Sequence, residues 1–168
     1  ENNEFFYLTD IETPSSWLVL VARDTLAPQV YLYLPARDTM AERWTGARLG
    51  PGPEASALTG IEETRPADQA QKQIRGMVRS STVRGGKLYL LLGEEAVSDT
   101  FFQQLALGSG AGVTDLRPSL AAMRLVKDAD EMRRLRMAIE ITAEGHLAAM
   151  RTAHPGAWEY ELEGAAEG

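Results

Sequence analysis

Apolar residues in the first third of the chain come in short bursts divided by turn-forming residues. Residues 5–9, 17–22 and 29–34 are rich in aromatic and β-branched side chains, with Pro14 and Pro28 between them, a pattern that predicts three short strands. The second and third bursts lie so close together that they predict a hairpin rather than a helical crossover. At least part of the sheet is therefore expected to be antiparallel.

From Asp38 the pattern changes. Residues 38–44 predict a short helix in which Asp38 accepts from the free amides of the first turn and Gly46 ends the run. Residues 49–53, Leu-Gly-Pro-Gly-Pro, predict a surface loop, because proline removes donors and glycine favours irregular backbone. Residues 66–79 predict a helix with Ala70, Ile74, Met77 and Val78 on one side, and after Gly85-Gly86 residues 87–92 predict a strand. Residues 94–107 predict another helix with Val97, Phe101, Leu105 and Phe102 facing inward, followed by a glycine-rich turn over 108–112. Helix alternating with strand implies an α/β layer structure.

After Pro118 the alternation stops and the chain becomes helical. Asp128-Ala129-Asp130-Glu131 has the form of a capping box, and Met132, Leu135, Ile139, Thr142, Ala143, His146 and Met150 mark one stripe of a helix that runs to about residue 151. His154-Pro155-Gly156 breaks it, and residues 158–166 begin another helix. This switch of pattern divides the chain into a first domain over 1–118 and a second over 119–168.

Composition narrows the function. With 44% hydrophobic and 24% charged residues the chain has the make-up of a folded globular domain, not of a disordered or fibrous one. A formal charge of -7 argues against a nucleic-acid partner, since affinity for phosphate backbones comes mainly from clustered Lys and Arg. The absence of cysteine removes disulfides, thiolate metal sites and a cysteine nucleophile, and it fits a reducing compartment, the cytoplasm. No apolar run reaches the roughly 20 residues of a membrane helix, and no basic, then apolar leader opens the chain.

Candidate chemistry is sparse. A two-metal hydrolase needs several oxygen ligands, often with histidine, converging on ions about 3.5 to 4 Å apart. The two histidines, His146 and His154, stand across a Pro-Gly break at a spacing that does not share a helix face. Asp128, Asp130 and Glu131 sit at a predicted helix start, where capping and the helix dipole account for them. No Gly-x-Ser-x-Gly elbow is present, and no Gly-Lys-Ser/Thr follows the glycines at 108–112.

Two separated blocks resemble the Xaa-Pro aminopeptidase and creatinase family. The first runs through Phe5-Phe6-Tyr7-Leu8-Thr9, Glu12-Thr13-Pro14, Trp17-Leu18-Val19-Leu20, Pro35-Ala36-Arg37-Asp38 and Glu42-Arg43-Trp44-Thr45-Gly46-Ala47-Arg48-Leu49-Gly50. The second comprises Met123-Arg124-Leu125-Val126-Lys127, then Glu131, Leu135, Arg136, Ala138, Glu140, Ile141 and Thr142, then Pro155-Gly156 with Glu159-Tyr160-Glu161-Leu162. Asp10 departs from the family, which often has glycine there, and Ile11 stands where phenylalanine is frequent.

The resemblance implies a creatinase-type α/β domain with a mixed sheet flanked by helices, followed by the opening helices of a pita-bread catalytic domain. It also implies that the chain lacks the domain's first strand and helix and stops before the family's Asp, His and Glu metal ligands. On that basis the parent protein would use two divalent metal ions, manganese, to release the first residue of proline-containing peptides, as a homo-oligomer, dimer or tetramer. This piece alone would hold no catalytic residue and no metal and would be inactive. A prolidase or creatinase-like sibling, or a metal-free peptide-binding relative, shares the same pattern.

By the same resemblance Trp44 matches a tryptophan that reaches toward the substrate groove of a neighbouring subunit in tetrameric relatives. Two placements remain open for it: an exposed apolar wall for substrate, or an anchor packed against the sheet. Arg37 and Asp38 form either an interface or capping pair or a solvated charge pair, and Arg48 is a further interface candidate at the same edge.

Overall fold

In the computed structural model, which describes residues 3–23, 26–82, 85–92, 100–110 and 112–168, the apolar run ending at Leu34 becomes the centre of a sheet. Strand β1 (Trp17–Arg23) pairs antiparallel with β2 (Leu26–Leu34), setting Leu18 opposite Leu32 and Val19 opposite Tyr31. The predicted hairpin is present. On its other side β2 pairs parallel with β3 (Glu63–Pro66), Tyr31 opposite Glu63 and Leu34 opposite Pro66. A second, two-stranded parallel sheet joins β4 (Leu88–Leu90) to β5 (Val113–Asp115).

Side chains on β2 alternate between two cores, which is why four consecutive residues, Tyr31 to Leu34, are all buried. Tyr31 and Tyr33 enter one cluster with Ala70, Ile74, Phe101 and Leu105. Those partners come from α4 (Ala70–Thr82) and α5 (Thr100–Ser109), and the helical face predicted from Ala70, Ile74, Met77 and Val78 is the face that packs. Trp17, Phe101 and Phe102 complete this layer as an aromatic trio with centroids 5.3 to 5.5 Å apart. Leu32 and Leu34 face the opposite way, against Ile11, Ala55 of α3 (Pro53–Thr59), Phe5, Leu49 and Ile61. The Tyr33 hydroxyl, inside the fold, donates to Gln73 Oε1 at 2.8 Å.

Several elements differ from the sequence-based expectation. Residues 5–9 are helical, not extended: α1 spans Asn3–Thr9. A five-residue aromatic run carries no period that separates strand from helix. Here the Thr9 hydroxyl donates to the Phe5 carbonyl at 2.7 Å, and Asp10 then takes a left-handed conformation with φ 56° that ends the helix. Residues 49–53 are not simply a surface loop, because Gly50 is buried, Leu49 packs on the core and Pro53 opens α3. Proline is well placed at a first helical position, where its missing donor is not needed.

The helix expected over 66–79 begins later. Pro66 closes β3, and Ala67–Gln69 form a single 3-10 turn before α4. The helix expected over 94–107 is described from Thr100 to Ser109, so Gly108 lies within it and not in a turn, while Val97 falls outside the described residues. Strands β3 and β5 went unforeseen: one is largely polar and the other is three residues long behind a glycine run.

By its internal contacts the chain divides at Leu120 and Ala121, within α6 (Arg117–Leu125). The second unit holds α7 (Ala129–Thr152) and α8 (Glu159–Glu167). Asp128 and Glu131 form the reciprocal capping box the sequence predicts, with both hydrogen bonds at 2.8 Å. Along α7, Leu135, Ala138, Ile139, Thr142, Ala143 and His146 line an apolar groove. No helix among the described residues is long and apolar enough to cross a membrane.

Candidate functional site

The segment that follows β2 carries all four residues singled out in the sequence. The Asp38 carboxylate accepts from the backbone amides of Met40 at 3.0 Å and Ala41 at 3.1 Å, and its carbonyl accepts from Glu42 at 2.9 Å. These bonds close a turn ahead of α2 (Glu42–Thr45), a single helical turn that begins later than the expected 38–44 helix, has Ala41 at its N-cap with no side-chain cap hydrogen bond, and ends at Gly46 with φ 80°. The positive φ is a position for which glycine has no steric cost.

Arg37 is not paired with Asp38. Its guanidinium forks onto Glu42 instead, Nε to Oε1 at 3.0 Å and Nη2 to Oε2 at 2.8 Å. A bidentate pair of this kind is stronger and more directional than a single contact. The Arg37 hydrogen bond holds the Glu42 carboxyl below the usual carboxylate range, and the Arg48 backbone amide adds to this. Arg37 is raised in turn, chiefly by Glu42. Glu54 stands 4.0 Å from the other guanidinium nitrogen.

Gly50 closes the segment against its start. A Cβ built there would stand 2.8 Å from Arg37 Cγ, so only glycine leaves room for the stem of the arginine. Residues 37 to 50 thus form a looped-back ledge.

Trp44 projects from it at 90% exposure. It does not pack on the sheet, and of the two placements open from sequence the structure has the exposed one. Met40, on the same ledge, is also largely exposed. Glu42, whose side chain is only 10% exposed, is the residue that sequence reasoning missed. Its spacing of five from Arg37 matches neither strand nor helix periodicity, so no local signal announced the pair.

The other candidates disperse. His146 lies in the α7 groove, while His154 stands beyond the end of that helix with Nδ1 3.2 Å from the Pro155 carbonyl oxygen. Asp130 pairs with Arg133 at 2.6 Å and Arg134 at 2.9 Å, which pulls its carboxyl downward, and Asp128 and Glu131 are engaged as the helix cap. Among the described residues no three His, Cys, Asp or Glu side chains come together where one ion could sit.

Residues 1–84 match the family model described as aminopeptidase P, N-terminal domain. The chain belongs to this family. Across 98% of its length, a span that includes the second unit, it is 33% identical to the Xaa-Pro aminopeptidase of Escherichia coli strain K12. Among solved aminopeptidase P structures, the zinc-substituted E. coli enzyme in complex with product superposes with a TM-score of 0.82 at 32% identity, covering 99% of this chain. Proline aminopeptidase P II from Yersinia pestis gives 0.80 at 34% identity over 98%. The chain spans 38% of the E. coli relative's length and 39% of each of these two solved chains.

Proposed function

We propose that this chain is the N-terminal part of a metal-dependent Xaa-Pro aminopeptidase, which releases the first residue of peptides with proline in second place. The observation that carries this reading is the alignment with an Xaa-Pro aminopeptidase over 98% of the chain. In this reading residues 1–118 are the creatinase-type N-terminal domain, and residues 119–168 are the linker and opening helices of the pita-bread domain.

Divalent metal ions, manganese in this reading, supply a water nucleophile and polarise the scissile carbonyl when bound. The described residues offer no matching donor set, so no chemical step is assigned to them. Their part is to shape access. Trp44 presents a flat apolar wall suited to a proline ring, directed at the substrate groove of a neighbouring subunit in a dimer or tetramer. Arg37, Asp38 and Arg48 lie at the same edge and form part of that interface, and the enzyme works in the cytoplasm.

The test compares the complete protein with residues 1–168 in cleavage of an Xaa-Pro peptide with added Mn²⁺. Cleavage by the complete protein alone is expected. Robust cleavage by residues 1–168 would overturn the reading, and tight peptide binding without turnover by the complete protein would favour a metal-free binding relative.

A further inference from the structure

An indole at 90% exposure on a four-residue helix is an unusual combination. Helix nucleation is costly, and a single turn does not persist on its own propensity. An exposed aromatic side chain also gains nothing from burial that would fix it in place. The order of this turn must come from its attachments.

Two attachments are present. Asp38 ties the turn that leads into α2 through the Met40 and Ala41 amides. Glu42, the first residue of α2, is tied by both carboxylate oxygens to Arg37, which lies before the turn. The stem of Arg37 in turn lies against Gly50, which comes after it. The Glu42 side chain is 10% exposed although Trp44, two residues on, is almost wholly in solvent. A two-toothed tether, 47% exposed at its arginine end and 10% at its glutamate end, beside a projecting indole is the arrangement that limits motion of the indole before any partner arrives. A contact surface ordered in advance loses less entropy on binding.

We propose that Glu42 is a positioning residue: its forked pair with Arg37 holds α2 so that the Trp44 indole is set in advance for the peptide substrate. The inference rests on the reading of Trp44 as a substrate wall, and it adds the residue through which that wall is held. Glu42 touches no reacting atom in this scheme.

A double-mutant cycle on the complete protein tests this, with an alanyl-prolyl-alanine tripeptide as substrate. Trp44→Ala is expected to raise KM about tenfold, the scale of one lost aromatic contact, with kcat retained. Glu42→Ala is expected to raise KM by several fold in the native background and to add almost nothing once Trp44 is alanine. Glu42→Gln keeps the shape and serves should the alanine variant not fold, and Gly50→Ala, which displaces Arg37 from a distance, is expected to move KM the same way. Equal effects of Glu42→Ala with and without Trp44 would overturn the proposal.

A second readout needs no turnover. In protein labelled with fluorotryptophan, the fluorine resonance of residue 44, assigned by its loss in Trp44→Phe, is expected to narrow in Glu42→Ala as the indole is freed. An unchanged line would also overturn the proposal. Should Trp44→Ala leave KM unchanged while the line narrows, the substrate role of Trp44 falls and its positioning by Glu42 stands.

Discussion

Gly145 on α7 faces the Ala166 carbonyl oxygen on α8 so closely that a Cβ at residue 145 would stand 2.8 Å from it. The absent side chain sets the distance between the two helices. Gly145→Ala gains about 1 kcal/mol of helix propensity but drives a methyl group into backbone, and overpacking of this kind costs about 1 to 3 kcal/mol. Gly164→Ala, within α8 with nothing within 4 Å of the added carbon, carries the gain without the clash. Thermal unfolding followed by circular dichroism should therefore show Gly164→Ala raising the melting temperature and Gly145→Ala lowering it. Stabilisation by Gly145→Ala would mean that the helices separate freely.

Trp17 and Trp44 should respond to truncation in opposite ways. Trp17 packs edge-on to Phe101 at 5.3 Å in the α4 and α5 layer, whereas Trp44 is 90% exposed. Trp17→Ala is expected to cost about 3 kcal/mol, the low end of the range for aromatic deletions in cores. Trp44→Ala should stay within about 0.5 kcal/mol of the native chain, as surface changes do. Urea midpoints of the two variants provide the comparison, and a large loss at Trp44 would contradict its placement.

Acid sensitivity should be traceable to the end of β5. Asp115 accepts from the Arg117 side chain, from its backbone amide at 3.1 Å and from the Leu92 amide, and chiefly through the Arg117 side chain its carboxyl is lowered from 3.8 to about 2. A carboxylate more acidic in the folded state than in the unfolded one contributes stability that is complete above the unfolded value and is lost as pH falls through the folded value. That contribution should fade between about pH 4 and about pH 2. Asp115→Asn removes it, so the loss of stability on going from about pH 5 to about pH 2.5 should be smaller in the variant than in the native chain. Identical pH profiles for the two proteins would rule out this role.

Features built from near neighbours were legible in the sequence. The capping box at Asp128 and Glu131, the inward face of α4 and the hairpin of β1 and β2 each depend on residues a few positions apart, and each is present as expected. Features that depend on what packs where were not legible. The charged run Glu63–Pro66 becomes a strand only because β2 offers it a parallel edge, and the aromatic run at residues 5–9 becomes a helix because one side of it finds the Leu32 and Leu34 face.

The candidate site divides along the same line. Sequence by itself determined the family resemblance, the acceptance of nearby backbone amides by Asp38 and the identity of Trp44 as an aromatic residue of interest, since these rest on residue types in order and on local hydrogen bonding. Only the tertiary structure decided that Arg37 turns from its neighbour Asp38 to Glu42, that Gly50 returns to lie against it, and that Trp44 is left in solvent. Pairing and exposure are properties of the folded path, because they depend on which surfaces the rest of the chain covers, and no period along the sequence records them.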